Sequence, residues 1–304
     1  MSATKENQLS RYGAIAKTYA ALNPQAKVFF VAPSAASWLG DFLNLFPSDG
    51  DGVPRVHTTI TAALANCVSN RGDVILVLPG HTTTITAAAG LDIEKHGVSI
   101  IGLGQGLARP IITFTTATTA DMDIDADNVT IENFQITIGF DAVAAPIDVN
   151  KTNFTLRKCK VVLADATNQA TLGILTDANA GGLVVEDCQF LGTADAGTAA
   201  AIRIVGGDAH VIRRNFFQGA YTTTLGAIDN VTTACTNALI EDNAINNLTA
   251  SSAKGMVFVA ASTGFIRRNS MQILSGTAPI TGAAMSWAGA NYYAATIATA
   301  GTLI

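Results

Sequence analysis

Charge is what this sequence has least of. Only 13% of its 304 residues are Asp, Glu, Lys or Arg, about half the share in ordinary soluble domains. Acidic residues outnumber basic ones, 23 to 18, for a net charge of −5. A basic footprint for nucleic acid is therefore missing, and no nucleic-acid partner is expected. No run of apolar residues is long enough for a helical membrane span, so no membrane partner is expected. The opening, MSATKENQLSRYGAIAK, lacks the apolar core of a secretory signal, which implies synthesis in a host cytoplasm unless export uses another route. There are two Trp in the whole chain, little for stacking against sugars. The four cysteines (Cys67, Cys159, Cys188, Cys235) and four histidines (His57, His81, His96, His210) show no metal-ligand spacing. No metal and no cofactor is expected.

Against that background one phrase of eight residues stands out, written six times: VTIENFQI from Val129, FTLRKCKV from Phe154, LVVEDCQF from Leu183, HVIRRNFF from His210, ALIEDNAI from Ala238 and GFIRRNSM from Gly264. The copies follow at steps of 25 to 29 residues, the period of a solenoid. The third place is always aliphatic and the eighth always apolar. The first half alternates with a period of two, as a strand with one buried face does. The sixth place reads Phe134, Cys159, Cys188, Asn215, Asn243, Asn269. Asn at stacked places predicts an internal amide ladder, with Asn at this place also suited to left-handed backbone at a bend. Cys159 and Cys188 share that place on neighbouring copies, so they are either stacked thiols or a disulfide.

The fourth place reads Glu132, Arg157, Glu186, Arg213, Glu241, Arg267, and the fifth Asn133, Lys158, Asp187, Arg214, Asp242, Arg268. Both alternate in sign from copy to copy. Parallel strands lie about 4.8 Å apart, so opposite charges on successive rungs attract where like charges would repel. Each exposed pair contributes about 0–1 kcal/mol, so the alternation sets register more than stability. A second strand precedes most copies: 122–126, 147–150, 173–176, 201–205, 227–230 and 256–259. The pattern predicts an all-β chain, a parallel β-helix. Helical runs of ten or more residues, which an α-solenoid needs, are missing from this region.

The flanks differ. Residues 1–52 read as a polar arm or docking segment, then a strand at Lys27–Ala32 and a short helix at Ser37–Phe46 with Trp38, Phe42, Leu45 and Phe46 on one side. Residues 53–293 read as the solenoid, opened by a helix over Thr58–Asn70. Its cap is Thr58 or Thr59, and its apolar face of Ile60, Ala63, Leu64 and Cys67 suits a plug for the open end. Residues 294–304 read as a C-terminal tail. After Arg268 the last 36 residues hold no charge, so the tail either caps its own solenoid or packs on other subunits. The outward second place of the phrase reads Thr130, Thr155, Val184, Val211, Leu239, Phe265, more apolar toward the C-terminus. Trp38, Phe42, Leu239, Phe265, Trp287, Tyr292 and Tyr293 are the interface candidates.

The order amphipathic helix, GDVILVLPG, VSIIGLG, then repeated phrases resembles the right-handed parallel β-helix of the pectin-lyase-like superfamily, over about residues 55–290. The stretch from KVFFVA through LFPSDGDGVPRVHTTI to RGDVILVLPGHTTTIT also looks like proteins encoded near the head genes of tailed phages. That superfamily hosts lyases, hydrolases, esterases and inert virion parts, so the resemblance implies a fold and leaves the activity open. Its hydrolases use clustered Asp, and its lyases use acidic residues with Ca²⁺ and an Arg. The matching candidates here are Asp125, Asp148, Arg203 and Asp229, on the outward side of the second strand set, with Asp125 and Asp148 expected on adjacent rungs. Leu175 and Val257 interrupt that row, and no catalytic phrase of those enzymes is matched.

Three motifs are corners rather than sites. Arg71–Asp73 spells RGD ahead of a strand. Gly102–Gly106 spells GxGxG with no helix after it. The sequons at Asn128, Asn153, Asn230 and Asn247 are polar turns in a chain with no secretory signal. The expectation is a non-enzymatic virion protein, an oligomeric capsid decoration or cement protein. The resemblance implies a trimer whose partners are the major capsid protein or other virion proteins. The alternatives are a polysaccharide-binding or -degrading β-helix of tailspike type and a receptor-binding adhesin module.

Overall fold

Each copy of the phrase is two short strands hinged at one residue. The computed structural model describes residues 3–165, 167–193, 198–222, 224–230, 232–249, 253–273, 279–282, 284–286, 290–294 and 302–303. In it Thr130–Glu132 and Gln135–Ile138 make the first copy, Thr155–Arg157 and Lys160–Val162 the second. The hinge is the fifth place: Asn133, Lys158, Asp187, Arg214, Asp242 and Arg268 all hold φ between +54° and +62°. The sequence pointed to the sixth place for this backbone, because Asn sits there. The left-handed turn falls one residue earlier, and its effect is to swing the sixth side chain into the core, where all six are buried. A second left-handed corner, at Asn128, Asn153, Gly182, Ala209 and Asn237, precedes five of the copies.

First halves stack into an 11-stranded sheet, second halves into a 10-stranded sheet, and the preceding strands into an 8-stranded sheet. Among the described residues the strands of the three sheets pair parallel until the last one. The result is a parallel β-helix of about nine turns. The register is the one the charges demand: Arg157 lies between Glu132 and Glu186, and Arg213 between Glu186 and Glu241. Each carboxylate is held by the basic residue one rung on, Glu132 by Arg157 at 2.7 Å, Glu186 by Arg213 at 2.8 Å and Glu241 by Arg267 at 2.8 Å.

Inward side chains of the three sheets merge into one core running the length of the solenoid. The third-place residues from Ile131 to Ile266 are all buried there, each contributing about 1.5–3 kcal/mol by leaving water. Phe190 and Phe217 stack flat on successive rungs, centroids 5.0 Å apart. Gly264, the one glycine that opens a copy, holds φ +137°, and a Cβ there would run into the backbone oxygen of Ala238.

The first 52 residues are part of this body. The strand Val28–Val31 sits inside the first sheet, between Val56–His57 and Val74–Val77, so the sheet begins before the boundary expected at residue 52. The polar opening is a helix, α1 (Ala3–Leu22), and not a free arm. Its Tyr12, Ile15, Ala16 and Tyr19, spaced as one helical face, lie on the outside of the first sheet over Phe30, Leu76 and Ile101. A second helix, α2 (Leu39–Leu45), joins them. Phe42 was an interface candidate, but it is 0% exposed. It is enclosed by the rings of Tyr12, Phe30, Trp38 and Phe46 at 4.7–6.0 Å. Trp38 is half-buried in the same nest, and Leu45 faces away from it.

The ends are closed. Helix α3 (Ile60–Leu64) is capped by Thr59, whose side chain accepts from the Ala62 N–H, and buries Ile60, Ala63, Leu64 and the following Cys67 in the core. At the other end Thr302–Leu303 turns back antiparallel on Tyr292 and Tyr293, which gives part of the tail a capping role. Among the described residues no helix is long and apolar enough to cross a membrane.

Candidate functional site

The outward side of the third sheet carries the chemistry. Its first three strands are Leu91–Ile93, Met122–Ile124 and Ile147–Val149, reading LDI, MDI and IDV. In each, the flanking apolar residues are buried and the central Asp faces out. The register then aligns Asp92, Asp123, Asp148, Leu175, Arg203, Asp229 and Val257 in a single row.

This row corrects one expectation. Asp148 sits beside Asp123, not Asp125. Asp125 also points outward but lies two places further along, after its strand has ended, so it belongs to the patch without being the neighbour of Asp148. Asp121, just before the strand, completes the group. Carboxylate oxygens of Asp121, Asp123 and Asp148 come within 4.8 Å of one another. The signal was in the sequence as three apolar–Asp–apolar triplets at the rung spacing, and counting outward places from the strand centre would have found it.

Electrostatics at this cluster follow from crowding. Burial, and after it the charges of Asp121, Asp125, Asp148 and Asp92, push the Asp123 carboxyl up to about 6. Burial first and neighbouring carboxylates second also raise Asp148 and Asp92. Burial raises Asp121, against a backbone N–H from Ala89 that favours its charged form. Asn150 donates to Asp123 at 3.1 Å. Close carboxylates with too few donors share protons or accept a hard cation through oxygen ligands, and this set can do either.

Arg203 and Asp229 stand two and three rungs from Asp148, beyond Leu175. The guanidinium grips Asp229 through Nε and Nη2, at 2.8 Å for the shorter contact. Asp229 is 0% exposed. Its burial raises the carboxyl, and the Arg203 contact opposes that. The pair is closed on itself, about 10 Å from Asp148 at two rungs of about 4.8 Å. The four catalytic candidates thus fall into an acidic patch and a separate ion pair.

The interface candidates divide likewise. Leu239 is half-buried, Phe265 is 49% exposed and Tyr292 54% exposed. Tyr293 packs on the core. Trp287 lies outside the described residues. Phe216, which sequence reading passed over, is exposed on the second sheet in the same row as Tyr292, with Ala244 and Ser270 between. The RGD corner is closed: Arg71 clamps Asp73 at 2.6 Å, and Asp73 is buried. All four cysteines are free and buried, and Cys188 Sγ accepts the Cys159 N–H at 3.4 Å.

No protein-family model matches the chain. No curated protein matches it. Two solved structures align with most of it. A rhamnogalacturonan lyase is 12% identical, over 92% of this chain and 79% of that one, with a TM-score of 0.39. Geobacillus virus E2 ORF18 is 14% identical, over 90% of this chain and 63% of that one, with a TM-score of 0.39. At that level neither likeness bears on function.

Proposed function

We propose that this chain is a structural protein of a tailed-phage virion, a β-helix that decorates or cements the capsid and works by binding other proteins. The observation that supports this most is the closed pair of Arg203 and Asp229. The Arg that lyase-type chemistry on this sheet would need is bound to a buried carboxylate and held two rungs from the acidic patch. The resemblance of residues 27–86 to proteins from phage head regions supplies the setting. The major capsid protein is the proposed partner.

Electron microscopy of the particle that carries the chain tests this. The expected result is density for a rod of about nine turns seated on the shell. If the purified protein instead cleaves or binds an acidic polysaccharide, and Asp148→Ala abolishes that, the structural reading is overturned in favour of a polysaccharide-active β-helix.

A further inference from the structure

We propose that a second copy of this chain docks on the outer face of the first sheet, with the two solenoid axes antiparallel. The footprint is four strands: Val184–Glu186, Val211–Arg213, Ala238–Glu241 and Gly264–Arg267. Toward the N-terminus this same face is already covered by α1 and α2. On the next two strands its outward second place is Thr130 and Thr155. Over the four footprint strands it becomes Val184, Val211, Leu239 and Phe265, in register from rung to rung. Phe265 is 49% exposed and the other three are half-buried.

The charges beside this row say what fits. Two residues along, the same four strands carry Glu186, Arg213, Glu241 and Arg267. A two-fold axis in the plane of contact, running along the strands between Val211 and Leu239, keeps each column over itself and reverses the order of rungs. Val184 then meets the partner's Phe265, and Val211 the partner's Leu239. In the charged column Glu186 meets the partner's Arg267, and Arg213 the partner's Glu241. Four alternating signs reversed are four opposite signs, so the face is complementary to itself. Two copies set side by side with parallel axes would place each charge on its like at every level. A three-fold trimer has parallel axes and would have to use other faces.

The partner's last strand of this sheet lies over Thr155–Arg157, where α1 reaches the edge of the footprint through Tyr19, which feels the charges of Glu132, Arg157 and Lys158. Four rungs of about 4.8 Å by five residues of about 3.3 Å cover about 300 Å² per copy. A stable interface covers about 800 Å² per partner, so this contact makes a weak, concentration-dependent pair. It concerns self-association alone and stands whether or not the chain is a virion part.

Sedimentation of the full chain over a concentration series should show a monomer–dimer equilibrium with a dissociation constant on the order of 100 μM. Leu239→Lys should weaken it at least about tenfold, with an unchanged melting temperature as the control for folding. The geometry has its own test. Val184→Cys with Phe265→Cys should oxidise to a covalent dimer, while neither single variant should. Within one chain the two sites are three rungs apart, about 14 Å, too far for an internal bond. The native cysteines are all buried and stay silent. A chain that stays monomeric throughout, a dimer indifferent to Leu239→Lys, or cross-linking by Phe265→Cys alone overturns the proposal.

Discussion

Asn243 donates from Nδ2 to Oδ1 of Asn269 at 3.0 Å, and its own Oδ1 accepts the backbone N–H of Asn215 at 3.0 Å. The same relation links Asn215 to Asn243 and Asn269 to Asn291. Upstream the thiols of Cys188 and Cys159 take over as acceptors for the backbone N–H of the preceding rung. One hydrogen-bonded column therefore runs through the core at the hinge of each phrase, and every member is buried.

Breaking that column in the middle should be costly. Asn243→Leu removes the acceptor for the Asn215 N–H and the donor to both Ile212 O and Asn269 Oδ1. Buried groups left unpaired cost about 1–3 kcal/mol each, so a loss of about 3 kcal/mol or more is expected in urea unfolding. Asn243→Ser, which keeps a small acceptor, should lose less. Equal losses in the two variants would mean that packing, not hydrogen bonding, sets the cost.

The alternating charges make a smaller and salt-dependent contribution. Arg213→Glu places a carboxylate between Glu186 and Glu241, its two register neighbours. The pair is partly exposed, so the loss should be about 1–2 kcal/mol at low ionic strength and should shrink by half or more at 1 M salt. A loss that salt does not change would place the effect in packing of the arginine stem.

Much of this is legible in the sequence, and for a physical reason. A solenoid meets the same environment once per turn, so the third, fourth, sixth and eighth places repeat their chemistry, and strand pairing and register could be read from Glu132, Arg157 and Glu186 alone. Two features failed to show. Helix α1 is used a single time, and its face of Tyr12, Ile15, Ala16 and Tyr19 draws stability from packing on Phe30 and Leu76. The acidic cluster stayed hidden because Asp125, and not Asp123, was taken as the outward place of the strand beside Asp148.

The hinge shows where side-chain identity hides backbone strain. Lys158 holds φ +54°, a region that costs an L-residue about 1 kcal/mol or more. Lys158→Gly and Lys158→Val both remove the exposed ion pair with Glu132. Glycine relieves the strain at a similar entropic cost, so its stability should stay within about 0.5 kcal/mol of wild type. Valine, branched at Cβ, should lose about 1–2 kcal/mol more. Thermal unfolding of the pair checks this, and a valine variant as stable as the glycine one would show that the bend is not enforced in solution.

The acidic cluster should make the fold prefer mild acid. Asp123 is raised to about 6 in the folded chain, against about 3.9 unfolded. A raised carboxyl means that the folded state binds the proton more tightly. Its stabilising effect is full below about pH 4 and is lost as pH rises toward 6, leaving repulsion among Asp92, Asp123 and Asp148 above that. Buried His81 and His210 act the other way, since burial lowers both and folding holds them neutral, so stability from them falls as pH drops below about 6.5. The difference between wild type and Asp123→Asn isolates the carboxylate. The variant should melt higher than wild type at pH 7, and the gap should close between pH 6 and pH 4. A gap that is constant across that window would mean that Asp123 titrates normally and that its neighbours do not crowd it.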